Sequence, residues 1–207
     1  MKSRKIVVIG SGIAGMAAAI RLAVNGHEVR VYEKNSYPGG KLSAFVRDGF
    51  HFDAGPSLFT QPQNLEELFE LAGESANDHF QYIKLPEVCN YFYANGKKFT
   101  AYDNPERLAA SVEQATGEKS ANIISYLRRS EKLYDNVGSF FLNHSLHKSR
   151  TWMNRRVFSA LKTIRFPYLF GTLNDYNSSL FKTREVQQLF NRYATYNGSN
   201  PYKAPGM

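Results

Sequence analysis

The sequence predicts an α/β fold in which a β-α-β unit is followed by a mostly helical region with one β-hairpin. Residues 6–9 form an apolar run typical of a buried parallel strand, and residues 13–24 are rich in Ala, Leu and Met, which favours a helix. Gly26 ends that helix, and residues 27–34 then alternate as a second strand. Because the three elements fit within about 30 residues, the pattern indicates a parallel crossover.

The later elements follow from capping and turn signals. We expect two short strands near residues 43–47 and 49–52. A helix is predicted over residues 64–72, with Asn64 as its cap, Glu67 at the capping-box position and Gly73 as its end. The stretch CNYFYANGKKFTAY predicts a hairpin in which Asn95-Gly96 forms a type I′ turn. Further helices are predicted from Asn104-Pro105 and over residues 120–142, 151–166 and 183–196.

Three glycines follow the first strand at the spacing G-x-G-x-x-G. Gly10 permits a tight turn, Gly12 lets the backbone approach a pyrophosphate, and Gly15 lets the helix pack closely on the strand. The N-terminus of that helix adds free N–H groups and a positive dipole end. Glu33, 18 residues after Gly15, can accept both hydroxyls of a ribose and would repel a 2′-phosphate. The pattern predicts a Rossmann-like dinucleotide site that disfavours NADP and leaves NAD and FAD open; a structural glycine-rich turn is the alternative.

A second glycine pair separates NAD from FAD. Gly39-Gly40 lies six and seven residues after Glu33 and is followed by Lys41, and the stretch GFHFDAGPS comes next. A second turn with exposed backbone and a cation suits the far side of a longer pyrophosphate that bears a flavin. These residues therefore favour FAD.

Together these motifs resemble the amino terminus of the FAD-dependent amine-oxidase-like superfamily. More narrowly, YPGGKLSAF, FDAGPSLFTQPQNLEELFELAG and YNGSNPYKAPGM resemble bacterial carotenoid desaturases of the phytoene-desaturase type. The resemblance covers the whole chain, and its first 60 residues carry the FAD assignment. It implies FAD-dependent removal of a hydride and a proton from a long polyene precursor, phytoene or a hydroxycarotenoid, in carotenoid biosynthesis.

The resemblance also implies which residues bind the cofactor. Gly10, Gly12, Ile13, Ala14 and Gly15 would wrap the pyrophosphate, Glu33 would hold the adenosine ribose with Lys34 beside it, and Gly40, Lys41, Gly55, Pro56 and Ser57 would lie along the phosphates toward the flavin. Many relatives have Arg after the glycine pair. Lys41 cannot make the planar bidentate contact of Arg but still supplies a point charge, so the change bears on affinity.

No catalytic base can be assigned from the sequence. The titratable candidates fit no metal-ligand spacing, and we expect most of them to be surface or packing residues: His51, Asp53, His79, His144 and His147. Cys89 is the single cysteine, which excludes an internal disulfide framework.

The resemblance places the closing segment in the interior of the family's chains, whose flavin site is assembled from both ends. We therefore expect an amino-terminal portion of a desaturase that is inactive alone. Residues 1–75 would be the first part of the FAD-binding domain, and residues 76–207 the start of an incomplete substrate-binding, membrane-facing domain. Another member of the superfamily, such as an amine oxidase, a polyene isomerase or a saturase, and a non-catalytic truncated fragment are the alternatives.

The net charge of +8 is concentrated in the second half of the chain. Residues 1–103 carry 11 Lys or Arg and 11 Asp or Glu, whereas residues 104–207 carry 15 and 7. The stretch TWMNRRVFSALKTIRF, residues 151–166, predicts a basic amphipathic helix whose charges are Arg155, Arg156, Lys162 and Arg165. It suits an anionic membrane surface or, equally, a solvated face over a core stripe. No nucleic-acid recognition motif accompanies the charge, and we expect a cytoplasmic protein peripheral to the inner face of the membrane.

Overall fold

A computed structural model describes residues 2–56, 58–138, 145, 147–148 and 171–206 of the chain. Within them the chain divides into two compact units, with the division between Ile83 and Lys84. Both units combine strands and helices.

The first unit begins with the predicted β-α-β arrangement. Strand β1 (Lys5–Ile9), helix α1 (Ile13–Val24) and strand β2 (Glu28–Tyr32) follow one another, and the two strands pair in parallel. Strands β3 (Ala44–Arg47) and β4 (Phe50–Asp53) then pair antiparallel. Helix α2 (Gln63–Ala72) and a short 3-10 turn (Ala76–Asp78) complete the elements of this unit.

Helix α2 begins before the predicted cap, so the expected capping box is wrong. Pro62 precedes the helix with φ −56° and ψ −31°, which are already helical angles, and Asn64 therefore lies inside the first turn. The Asn64 side chain donates to Gln61 Oε1 (2.8 Å), and Glu67 pairs with Arg21 of helix α1 (3.0 Å). Gly73 ends the helix in the left-handed conformation (φ +79°), as predicted.

The second unit begins with strands β5 (Glu87–Phe92) and β6 (Lys98–Tyr102), which pair antiparallel. The connecting turn is not of type I′, because that type needs two residues with positive φ and Gly96 alone has one here (+81°). The Gly96 N–H donates to the Tyr93 carbonyl (2.9 Å), and the Tyr93 N–H donates to the Lys97 carbonyl (2.9 Å). This is a three-residue loop, and the Asn95 amide is held by the Glu185 carboxylate (2.6 Å).

Four helices of the second unit are described: α3 (Pro105–Thr116), α4 (Ser120–Leu133), α5 (Leu173–Leu180) and α6 (Arg184–Asn191). The Asn104 side chain caps α3 by accepting from the Arg107 N–H (2.8 Å), which confirms the predicted start. Ten buried apolar side chains form one core, contributed by strand β6, helices α3, α4 and α6, and the residue that follows α5: Phe99, Ala101, Leu108, Ala109, Val112, Ile123, Phe181, Val186, Leu189 and Phe190.

Two helix predictions change within the described residues, which end at Gly138 in the first of them. The helix expected over residues 120–142 is α-helical to Leu133 and continues as a π-helical turn (Tyr134–Gly138). The helix expected over residues 183–196 becomes a 3-10 helix at Arg192–Asn197. The basic helix expected over residues 151–166 lies outside the described residues, and α5 was not predicted.

Candidate functional site

The first glycine motif forms the turn between β1 and α1. Gly10 has φ +96°, a conformation that favours glycine, and its N–H donates to the Tyr32 carbonyl at the end of β2 (2.7 Å). A Cβ on Gly15 would come within 2.1 Å of the Gly10 carbonyl oxygen. Glycine is therefore required at position 15 for the helix to pack on the turn.

The N-terminus of helix α1 is open. Gly12 is its N-cap residue, no side chain caps it, and its first turn contains no acidic residue. The first intrahelical bond runs from the Met16 N–H to the Gly12 carbonyl (2.9 Å), so the N–H groups of Ile13, Ala14 and Gly15 have no carbonyl partner within the helix. Such a terminus attracts an anion through its N–H groups and its dipole.

The second glycine pair lies against the first motif. The Gly39 N–H donates to the Ser11 carbonyl (2.8 Å), and Gly12 and Gly39 form a parallel β-bridge. A Cβ on Gly40 would lie 3.1 Å from Gly12 Cα, which is tighter than ordinary contact. The structure thus brings two motifs together that are about 28 residues apart in the chain.

Gly55 joins the same assembly through Lys41. A Cβ on Gly55 would lie 1.8 Å from the Lys41 carbonyl oxygen, so only glycine fits there. The Ala54 N–H donates to the Ser43 carbonyl (2.8 Å) and holds the two segments side by side. Pro56 follows directly, whereas Ser57 lies outside the described residues.

Glu33 lies at the end of β2 and faces the glycine turn. Its Oε2 accepts from the Ser11 N–H (2.7 Å) and the Ser11 hydroxyl (3.0 Å), and its Oε1 accepts from the Asn35 N–H (2.9 Å) and the Asn35 side-chain amide (3.0 Å). The hydrogen bonds from the Asn35 N–H and then from Ser11 lower the pKa of Glu33 to about 2. The side chain is therefore a carboxylate throughout the physiological pH range.

Lys34 and Lys41 are exposed and, within the described part of the chain, pair with no carboxylate. Each can therefore offer its charge to a phosphate without breaking an ion pair. No group of three or more His, Cys, Asp or Glu side chains with metal-binding geometry occurs among the residues that the structure describes.

Sequence reasoning identified the glycines and Glu33 but not the side chains that hold Glu33. Ser11 is the variable position of the G-x-G motif, and Asn35 lies two residues after the acid. The motif does not specify the residue type at either position. The hydrogen bonds of these two side chains therefore could not be predicted from the spacing of the glycines and the acid.

The backbone of the two glycine motifs leaves open space in front of Gly10. Among the described residues, a Cβ on Gly10 would meet no atom within 4 Å, and a Cβ on Gly12 would meet only Gly40 Cα, at 4.0 Å. The surface in front of both glycines is therefore open backbone, which a pyrophosphate can approach. The open N–H groups can donate to a diphosphate, as can the two lysines, which pair with no carboxylate among the described residues, and the fixed carboxylate can accept from a ribose.

The family model described as flavin containing amine oxidoreductase matches residues 13–198. Among curated proteins, the chain is 44% identical to a 1-hydroxycarotenoid 3,4-desaturase of Flavobacterium sp. (strain P99-3) over 204 residues, which are 99% of this chain and 41% of that protein. It is 32% identical to a hydroxyneurosporene desaturase of Cereibacter sphaeroides, covering 98% of this chain and 41% of the relative. The chain therefore spans about two-fifths of the length of these relatives.

Among solved structures, a mutant of putrescine oxidase matches with a TM-score of 0.50 and 15% identity, covering 97% of this chain and 38% of that one. This likeness concerns the fold and agrees with the predicted α/β class. The family match covers most of the chain and confirms the prediction of a flavin cofactor. The chain belongs to the family of flavin containing amine oxidoreductases.

Proposed function

We propose that this chain is the amino-terminal portion of an FAD-dependent carotenoid desaturase. The observation that carries the proposal is that three separate stretches meet next to the open N-terminus of helix α1: the first glycine motif, Glu33, and Gly39-Gly40. Gly55 packs against Lys41, the residue that follows this glycine pair. The names of the two relatives above support the substrate class.

Each predicted residue has a place in this proposal. The N–H groups of Ile13, Ala14 and Gly15 would hold the pyrophosphate, Gly10 and Gly12 would leave room for it, and Glu33 would hold the ribose. Lys34 and Lys41 neutralise phosphate charge. The path toward the flavin follows Gly40, Gly55 and Pro56, with Ser57 next in the chain.

The chemistry that FAD supplies when it is bound is acceptance of a hydride from a C–H bond. For desaturation, the neighbouring carbon loses a proton and the two carbons become joined by a double bond. The described residues of this chain contribute by fixing the ADP half, so that the reactive ring is held in one position.

The second unit is proposed to begin the substrate region. We assign residues 1–75 to the FAD-binding domain and residues 76–207 to the start of the region that receives a polyene, with the described structural division close by, at Ile83 and Lys84. The β5–β6 hairpin belongs to this second region.

Flavin absorbance tests the cofactor assignment. We expect the chain as its complete gene encodes it to be purified with a flavin spectrum, or to gain one with added FAD. Glu33→Arg should lose most of this binding, because it replaces the proposed ribose acceptor with a cation. Arg30→Glu, on the exposed surface of β2, is the matched charge reversal and should bind normally. Unchanged FAD affinity in Glu33→Arg would mean that the nucleotide binds elsewhere.

Product analysis separates desaturation from related chemistry. Incubation of the FAD-loaded protein with phytoene and with a hydroxycarotenoid should extend the conjugated system and shift the absorbance to longer wavelength. Products with unchanged or fewer double bonds would favour an isomerase or a saturase, and amine consumption would favour an amine oxidase.

Membrane association is the last part of the proposal. No helix in the described residues has the length and apolar character needed to cross a bilayer. Arg155, Arg156, Lys162 and Arg165, outside those residues, are proposed to dock on an anionic membrane at its inner face. The double variant Arg155→Glu/Arg156→Glu should lose co-sedimentation with anionic liposomes, whereas Arg128→Glu/Arg129→Glu in helix α4 is the matched control. If both double variants lose co-sedimentation equally, net charge rather than this basic segment determines membrane binding.

A further inference from the structure

The Glu33 carboxylate accepts two kinds of hydrogen bond, and each of its oxygens has one of each kind. Oε2 accepts hydrogen bonds from the backbone N–H and the side-chain hydroxyl of Ser11. Oε1 accepts hydrogen bonds from the backbone N–H and the side-chain amide of Asn35. A carboxylate offers about four lone-pair sites. All four are therefore used before any ligand binds, and a hydroxyl that is to bind Glu33 must replace a donor.

The two kinds of donor differ in their freedom to leave. Ser11 lies between Gly10 and Gly12, and its carbonyl accepts from the Gly39 N–H (2.8 Å), so its own N–H is fixed by the turn. The Ser11 hydroxyl and the Asn35 side-chain amide can swing away by rotation about their side-chain bonds. Each carboxylate oxygen therefore accepts one hydrogen bond from an exchangeable donor: Ser11 Oγ lies 3.0 Å from Oε2, and Asn35 Nδ2 lies 3.0 Å from Oε1.

We propose that the Ser11 hydroxyl and the Asn35 side-chain amide stand in for the two neighbouring hydroxyls of a ribose and leave Glu33 when the ribose binds. This inference rests on the proposed nucleotide function. A ribose diol gives one hydrogen bond to each oxygen of a carboxylate, which is the arrangement that the two side chains reproduce. The backbone donors of the same two residues remain in place and keep the carboxylate aimed.

The exchange makes Ser11 and Asn35 positioning residues whose side chains compete with the ligand. Before binding, they satisfy a charged group that otherwise needs ordered water. During binding, each must give up a hydrogen bond to a carboxylate. Removing either side chain should therefore strengthen nucleotide binding, whereas a side chain that only orients Glu33 would weaken binding when removed.

Titration calorimetry with ADP on the full chain tests the sign. We expect Ser11→Ala and Asn35→Ala each to bind ADP about two- to tenfold more tightly than the wild type, the range that corresponds to one net hydrogen bond. Glu33→Gln should bind more weakly. Ser3→Ala and Asn64→Ala, both exposed and remote in sequence from Glu33, are matched controls that should bind as the wild type does.

A second ligand, 2′-deoxy-ADP, assigns the exchange to hydroxyls. It lacks one of the two donors, so one of the two alanine variants should lose its gain with this ligand while the other retains it. If the wild type binds ADP but both alanine variants bind it no more tightly, or more weakly, this inference is wrong and the proposed function stands. Absence of ADP binding by the wild type overturns the proposed function and this inference with it.

Discussion

The two units of the chain differ in where their order comes from. In the second unit, ten buried apolar side chains form one core between the hairpin and the helices. In the first unit, Ala19 and Leu68 are the buried apolar residues among those described, and Ile9 of strand β1 is 89% exposed. The first unit instead contains the tight backbone contacts of the glycine motifs and the four hydrogen bonds at Glu33.

This difference separates two uses of sequence. The second unit uses its residues for packing, which stabilises it through removal of apolar surface from water. The first unit uses glycines for close backbone approach, which leaves a surface of open N–H groups. Stability and ligand recognition are therefore expected to respond to different substitutions in this chain.

The largest effect is expected from a matched pair of isoleucines, one in each unit. Ile123 in helix α4 is 0% exposed, and Ile123→Ala should lower the free energy of unfolding by about 2 to 5 kcal/mol through lost burial and the cavity left behind. Ile9→Ala should cost less than about 1 kcal/mol, because its side chain is already in water. Urea unfolding followed by circular dichroism measures both, and equal losses would contradict the comparison.

The next effect concerns binding rather than packing. Gly15→Ala places a Cβ 2.1 Å from the Gly10 carbonyl oxygen and should push helix α1 off the turn. FAD affinity should then fall by at least the about two- to tenfold that one lost hydrogen bond is worth. Gly49→Asn is the control, because its Cβ would meet nothing within 4 Å and Asn tolerates its φ of +81°. Normal FAD affinity in Gly15→Ala would show that this close approach does not shape the site.

The sequence predicted the elements whose ends are set by neighbouring residues. Helix α1 has the predicted bounds because Gly12 and Gly26 flank a continuous run of helix-forming residues. Gly10, Gly15, Gly39, Gly40 and Gly55, predicted as or beside cofactor-binding residues, stand out for the same reason, since each has a backbone conformation or a close approach that other residues rarely adopt. In these places residue type and geometry are nearly equivalent.

The capping-box error at α2 has a local cause, the helical angles of Pro62, whereas distant residues contribute to the errors at the hairpin turn and at helix α5. The Asn95 amide is held by Glu185, 90 residues later, and the turn opens into a three-residue loop. Helix α5 has a weakly apolar sequence, LNDYNSSL, and is fixed by the Thr172 capping box and by Asn177, which donates to Asn191 of helix α6 (2.8 Å). Tertiary contacts override propensity at such positions.

A smaller loss of stability is expected from the buried carboxylate of the second unit. Glu118 is 4% exposed and accepts from Asn122 Nδ2 (2.8 Å) and from the N–H groups of Lys182 (3.0 Å) and Thr183 (3.4 Å). Glu118→Gln should lower the free energy of unfolding by about 1 to 2 kcal/mol, since the Gln amide cannot accept from all these donors. Glu131→Gln, exposed on helix α4, is the control.

The Glu118 contribution should also depend on pH. Burial raises the pKa of Glu118, but the hydrogen bonds from Asn122, Lys182 and Thr183 outweigh it and leave the pKa below its ordinary value. A lowered pKa in the folded state stabilises the protein above the ordinary carboxyl range, and this stabilisation is lost as the pH falls through the lowered pKa. The gap between wild type and Glu118→Gln should therefore narrow in acid, and a constant gap would contradict this.

The smallest effect is expected from the exposed ion pair of the first unit. Arg21 and Glu67 join helices α1 and α2 with two hydrogen bonds (3.2 and 3.0 Å), but both side chains are about half exposed. Solvent screens such a pair, so Glu67→Gln should destabilise the chain less than Glu118→Gln does. The difference in the free energy of unfolding between the wild type and Glu67→Gln should vanish at about 1 M salt, where the Debye length is about 3 Å. If Glu67→Gln still lowers the free energy of unfolding at this salt concentration, the two side chains act through packing rather than through their charges. Packing between helices α1 and α2 would then contribute to the stability of the first unit, although few of its apolar side chains are buried.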